Sequence, residues 1–264
     1  MRIRLHLGIF YMAIFTMILN GNVQATPISV YSNDFESSVG SEWSVSSCTG
    51  PCINYSPTIA STPSGRNFLT GNANVSAPAG FNNQRIKLNL GMLPTHDSMT
   101  LSFDLYLIKD WRGDQDINGV DLFGAYFQTG SPGDFFLLND TFSNWATFSQ
   151  SYPGNLGVDH FAGRTGAAEN NTLGYQIIGT GGDSVYKFNF TFSHSLETLE
   201  LTFFGKGLLP PGFCCGPSGG WGLDNVSVSV STTPVPEPSS LLLMGSGLLV
   251  MMLYVWRREG VQRS

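Results

Sequence analysis

Between residues 26 and 233 the apolar side chains recur at every second position, and no stretch of helical length repeats them at 3.6. In the run 101–107, Leu101, Phe103, Leu105 and Leu107 form one stripe, while Ser102, Asp104 and Tyr106 form the other. The same beat aligns Tyr186, Phe188, Phe190 and Phe192, then Leu199, Leu201 and Phe203, then Val226, Val228 and Val230. A strand sends successive side chains to opposite faces, so each run predicts a strand with one buried and one wet side. Shorter candidates lie at 29–35, 43–47, 66–70, 85–90, 120–127, 135–138, 145–151 and 173–178. Turn clusters such as Thr62-Pro63-Ser64-Gly65 separate them. So many half-buried strands need a second sheet to cover them, and the expected fold is all-β, a two-sheet antiparallel jelly-roll sandwich. With 31 Gly and 14 Pro, and no heptads, a coiled coil or helical bundle is excluded.

The ends of the chain read as addresses. Arg2 and Arg4, an apolar run over 5–19 and the small-residue site Val23-Gln24-Ala25 make residues 1–25 a secretory signal peptide. The β-sandwich domain is expected over 26–230, and a Pro-rich linker over 231–238. From 239 to 256 there is no charge, and then Arg257 and Arg258 follow. A helix of that length spans roughly 27 Å, close to the hydrocarbon thickness of a bilayer. One C-terminal transmembrane helix with its basic cluster is therefore expected over 239–258.

Pro236-Glu237-Pro238, an apolar helix and the terminal arginines resemble the PEP-CTERM sorting signal of Gram-negative bacteria. The resemblance implies recognition by an exosortase-type processing protease, export across the cytoplasmic membrane, at least transient membrane anchoring, and display at the cell surface or in a biofilm matrix. Residues 259–264 extend beyond the usual end of that pattern.

The two ends hold five of the 13 basic and two of the 19 acidic residues, which leaves the body 8 against 17. That acidic balance argues against a nucleic-acid partner, which needs a basic face to displace counterions.

Two segments near the ends of the body carry a second resemblance. Asn33-Asp34-Phe35-Glu36 followed by Trp43, and Trp221-Gly222-Leu223-Asp224-Asn225-Val226, look like the opening and closing strands of jelly-roll carbohydrate-binding modules. The resemblance makes Glu36 and Asp224 ligands of a structural calcium, with the legume-lectin and laminin-G class of sandwich as the alternative. The densest acidic run, Asp110 to Asp121, contains Asp114, Asp116 and Asn118 before Gly119, the first half of a calcium loop. Ala125 stands where such a loop needs its bidentate Glu, so an EF-hand is rejected. A loop completed by Asp110 or Asp121 and a plain solvated turn both stay open.

Cys48, Cys52, Cys214 and Cys215 allow three disulfide connectivities in an exported chain. A local Cys48–Cys52 bridge leaves a strained adjacent pair, and cross-pairing ties the first loop to the turn before the last strand.

Catalytic patterns are sparse. His96, His160 and His194 sit in no metal-protease array, and His160 has no partner visible in the sequence. The alternating acidic strand motif of sandwich-fold glucanases is missing. Trp111 and Trp145 flank polar, loop-like stretches and are the preferred stacking platforms for sugar rings. The expected role is therefore non-enzymatic: an exported protein that binds exopolysaccharide or another glycan on a calcium-stabilised sandwich. The alternatives are a secreted glycoside hydrolase and a self-associating structural adhesin.

Overall fold

In the computed structural model the alternating runs form two antiparallel sheets. It describes residues 26–48, 55–71, 80–115, 119–128, 134–179, 181–208, 219–232 and 240–261. The signal peptide, Asp116, Asn118, Cys52, Cys214, Cys215, Pro236, Glu237 and Pro238 lie outside them, as does the side chain of Cys48.

The strands are β1 (Ile28–Asn33), β2 (Trp43–Cys48), β3 (Thr58–Ser61), β4 (Asn67–Thr70), β5 (Gln84–Leu90), β6 (Ser98–Ile108) and β7 (Leu122–Gln128). They continue with β8 (Asp134–Thr141), β9 (Ser149–Gln150), β10 (Phe161–Ala162), β11 (Glu169–Asn170), β12 (Asp183–Ser193), β13 (Leu199–Lys206) and β14 (Gly220–Ser231). One sheet has seven strands, β11-β12-β6-β14-β4-β3, with β1 also paired to β14. The other has five, β2-β5-β13-β7-β8, and β9 with β10 forms a small separate hairpin. Pro27–Ser231 is one compact unit.

The predicted stripes face each other across the interior. Leu101, Phe103, Leu105 and Leu107 from β6, Tyr186 and Phe188 from β12, and Val226, Val228 and Val230 from β14 meet Ile86, Leu88, Leu201, Phe203 and Phe123 of the second sheet. Phe103 touches Phe123, Phe188 and Phe203 at centroid separations of 6.4, 5.1 and 5.2 Å. Each fully buried Phe contributes about 2–3 kcal/mol from area alone. Trp221 packs on Phe81 and Phe123 and donates its indole N–H to the Asn82 carbonyl. Gly205 makes room for that ring, since a Cβ there would lie 2.6 Å from the indole nitrogen.

In two places alternation does not become a strand. Over 173–178 the backbone N–H groups of Leu173 and Tyr175 are taken by the Asp183 carboxylate. Both side chains are buried, so the pattern reflects burial without a ladder. Over 145–151 only Ser149 and Gln150 are in a strand. There the Ser143 hydroxyl accepts from the Trp145 N–H, and the Gln150 amide oxygen accepts from the Ser143 and Arg164 N–H groups. Side chains satisfy the backbone in place of a neighbouring strand.

The tail forms α1 (Ser240–Val261), with residues 248–256 exposed. Among the described residues no helix is long and apolar enough to cross a membrane.

Candidate functional site

The outward residues of the five-stranded sheet are set by register. Lys87 of β5 is paired with Ser44 of β2 and Thr202 of β13, Thr202 with Tyr126 of β7, and Tyr126 with Phe136 of β8. The next row runs from Arg85 through Phe204 to Gly124, and another from Asn89 through Glu200. This outer face therefore carries a short aromatic band, Tyr126, Phe136 and Phe204, bordered by charged and amide groups.

Within the band, Tyr126 lies 5.4 Å from Phe136 and 6.0 Å from Phe204 between ring centroids. Gly124 lets Phe204 lie across β7, because a Cβ at that position would collide with the Phe204 ring. The Arg85 guanidinium sits 5.3 Å from the Phe204 centroid, and its Nη1 donates to the Tyr126 hydroxyl at 3.4 Å. Phe204 and Tyr126 are thereby covered, while Phe136 stays 47% exposed. Lys87 and Glu200 form an ion pair at 2.6 Å. Two polar atoms have no hydrogen-bond partner among the described residues: the Arg85 Nε and the hydroxyl of Thr202, a residue only 1% exposed. A buried hydroxyl without a partner costs about 1–3 kcal/mol, and both orphaned atoms lie beneath the surface.

The acidic run 110–121 is organised differently. Asp110 is 4% exposed and accepts from Arg112 Nε at 3.0 Å and from the Trp145 indole at 2.8 Å. Its other oxygen faces Arg112 Nη2 at 2.9 Å. Asp121 is fully buried and accepts from the Arg112 backbone N–H. Asp114, on the 3-10 turn Gly113–Gln115, accepts from the Thr141 hydroxyl and lies 2.8 Å from His160 Nδ1. The carboxylates thus turn toward separate donors within the protein, and among the described residues no three acidic, His or Cys side chains form a metal-holding group.

Trp111 is completely buried and donates to the Gly220 carbonyl at 2.7 Å. This corrects its expected role as a sugar platform: the polar sequence around it describes its neighbours, while its own side chain points into the core. Trp145 is half-buried with its indole N–H fixed to Asp110.

On the outer face of the seven-stranded sheet, Glu36 accepts from Asn67 Nδ2 at 2.7 Å and Asp224 accepts from the Tyr106 hydroxyl at 2.7 Å. The Asp224-Asn225 doublet interrupts alternation between Leu223 and Val226, and the register shifts there. Asn225 takes a left-handed φ of 50°, which keeps Leu223 and Val226 inward. Burial raises the Asp224 carboxyl above its ordinary value, and the charges of Asp104 and Glu36 push it the same way. Glu36 and Asp224 therefore feel each other, but they bond to different partners. Among the described residues they are not part of a group of three or more acidic, His or Cys side chains that could hold a metal.

The Asp114–His160 contact is the partner that sequence reading could not find, because 46 residues separate the two. Asp140 lies nearby; its carboxyl is raised by burial and by the charge of Asp114, and it accepts from the Ser151 hydroxyl at 2.8 Å.

Residues 234–258 match the PEP-CTERM protein-sorting motif. No curated protein matches the chain. Among solved structures it is similar to the CBM22-1 xylan-binding domain of Xyn10C from Paenibacillus barcinonensis, at 10% identity over 80% of this chain and 100% of that one, TM-score 0.37. It is also similar to the K3 cleaved adhesin domain of Lys-gingipain from Porphyromonas gingivalis, at 12% identity, 76% and 99% coverage, TM-score 0.35. A third is the C-terminal CBM6 of LamC, a marine laminarinase from Zobellia galactanivorans, at 9% identity, 78% and 99% coverage, TM-score 0.28. Likeness at such TM-scores carries no functional argument.

Proposed function

We propose that this PEP-CTERM-sorted chain is a non-enzymatic surface or matrix protein that binds polysaccharide on the outer face of its five-stranded sheet. The observation that carries the reading is the exposed Phe136 ring, packed beside Tyr126 and Phe204 with Arg85 over the latter, on the open face of the sheet. A sugar presents an apolar C–H face and a rim of hydroxyls, and this surface offers an exposed ring on a face that also carries charged and amide side chains. Phe136 supplies the stacking ring at the β8 edge, with Tyr126 beside it, and Lys87, Glu200 and Asn89 lie farther across the same face on β5 and β13.

Export through a cleaved signal peptide, a jelly-roll strand order and exosortase processing of the tail belong to the same proposal. The exposed apolar side chains from Leu248 to Trp256 suit a lipid surround during sorting. Structural calcium at the 110–121 loop rests on the sequence pattern of Asp116 and Asn118, and equal thermal unfolding in calcium and in chelator would remove it.

The direct test is retention of the full chain on insoluble and soluble polysaccharides, compared with Phe136→Ala. Loss of a single stacking ring should weaken binding about tenfold or more, on the scale of roughly 1–3 kcal/mol found for exposed aromatic platforms. A wild-type chain that no polysaccharide retains, or a Phe136→Ala chain that binds as well, would overturn the reading. His160→Ala should leave binding unchanged; a polysaccharide turned over by the wild type and spared by this variant would favour the hydrolase instead.

A further inference from the structure

We infer that the polysaccharide taken by this face is anionic, with Arg85 as the group that recognises its acidic sugars; the inference rests on the binding reading above. The body of the chain carries 17 acidic side chains against 8 basic ones, so cations are scarce and their placement is informative. Three of them, Arg85, Lys87 and Lys206, lie on the outer face of the five-stranded sheet. Elsewhere three cations have carboxylates of their own: Arg66 meets Glu169 at 2.9 Å, Arg112 meets Asp110 at 2.9 Å, and Lys187 meets Asp104 at 3.7 Å, while Lys109 is half-buried with no ion pair among the described residues. Arg164 spends its donors on the Asn144 and Gly181 carbonyls and the Asn171 amide.

On the open face the balance is reversed. Glu200 neutralises Lys87, which leaves Arg85 and the exposed Lys206 without a carboxylate partner among the described residues. Arg85 is held over Phe204 and tethered to Tyr126 by one weak bond, so its fork is positioned before any ligand arrives. Its Nε is buried and unpaired. A guanidinium presents parallel N–H groups that match the two oxygens of a carboxylate or of a sulfate ester. A neutral sugar hydroxyl can occupy one such donor, while an acidic sugar can take two and discharge the site. Lys206, two residues from Phe204 along β13, extends the positive field.

The site therefore sets two unneutralised cations, Arg85 and Lys206, against the exposed Asp134 at the start of β8, in a body of net negative charge. These cations favour approach of an acidic chain to this face, and salt should weaken the attraction.

Calorimetry of the full chain with three probes tests this: an oligogalacturonate, a sulfated galactan and a neutral xylo-oligosaccharide of equal length. The acidic probes should bind at least tenfold more tightly than the neutral one, and the excess should shrink as salt is raised from low to high concentration. Arg85→Gln should abolish that preference, and Lys206→Gln should halve it or more, each without loss of the cooperative unfolding transition. Preference for oligogalacturonate alone identifies carboxylate, and equal binding of both acidic probes identifies anionic charge as such. Neutral and acidic probes bound equally would overturn the inference while leaving the binding reading intact. No binding of any probe would overturn both.

Discussion

On the outer face of the seven-stranded sheet the polar side chains meet one another. Arg66 pairs with Glu169, Tyr106 with Asp224, Asn225 with Asp104, Thr100 with Thr191, Asn189 with Ser102, and Ser98 with Ser231. The outer face of the five-stranded sheet, built on the same alternation, covers its rings with a single arginine and leaves Thr202 Oγ1 and Arg85 Nε unmatched. On the first face nearly all polar groups are closed internally, the buried Tyr175 hydroxyl beside Tyr106 being the exception. A face that buries unpaired polar atoms is less stable alone, and its exposed Phe136 ring is what association would cover. The difference lies in how far polar groups are satisfied, since both faces contain aromatics and charges.

The contrast can be broken most forcefully on the closed side. Tyr106→Phe removes the donor to a carboxylate that is 8% exposed, and should cost about 2 kcal/mol in chemical denaturation without changing glycan retention. On the open side the sign should reverse. Thr202→Val replaces the unpaired buried hydroxyl with a methyl of like shape, and should leave stability unchanged or raise it by about 1 kcal/mol without changing polysaccharide binding. A destabilised Thr202→Val would mean that the hydroxyl already has a use within the fold.

The smallest effect sharpens the electrostatic part. Burial raises the folded-state pKa of Asp224, so its ionised form is disfavoured in the native protein. Its stabilising share is full below the ordinary carboxyl value and is lost as pH rises through the raised one. Asp224→Asn keeps an acceptor for Tyr106 and removes the charge near Asp104 and Glu36. The variant should gain on the wild type at neutral pH, and the gap should close as denaturation is repeated toward the ordinary carboxyl pKa of about 4. A gap independent of pH would show that charge is not what distinguishes the variants.

Much of the fold was legible because period-two burial needs only local sequence. The stripes of β6, β12, β13 and β14 all face the interior as expected. The misreadings share one cause. Leu173 and Tyr175 alternate and are buried, yet their N–H groups go to Asp183, and alternation reports burial without reporting who satisfies the backbone. Trp111 looked exposed because its neighbours are polar, whereas the chain turns it inward to the Gly220 carbonyl. The candidate site was the least legible part. Arg85, Tyr126, Phe136, Thr202 and Phe204 come from four strands spread over more than a hundred residues, and no local motif joins them. Gly124 between Phe123 and Ala125 was the available hint, since a glycine inside a strand marks a close approach.

By itself the sequence determined that the body is a sandwich of half-buried strands and that the tail carries a sorting signal, because periodicity and a contiguous motif are properties of neighbours along the chain. Which polar groups on the two outer faces are paired, and which wait for a partner, was decided by strand order and register. Hydrogen bonds between strands depend on which residues lie opposite in space, and a sheet assembled from distant segments sets that only once it has folded.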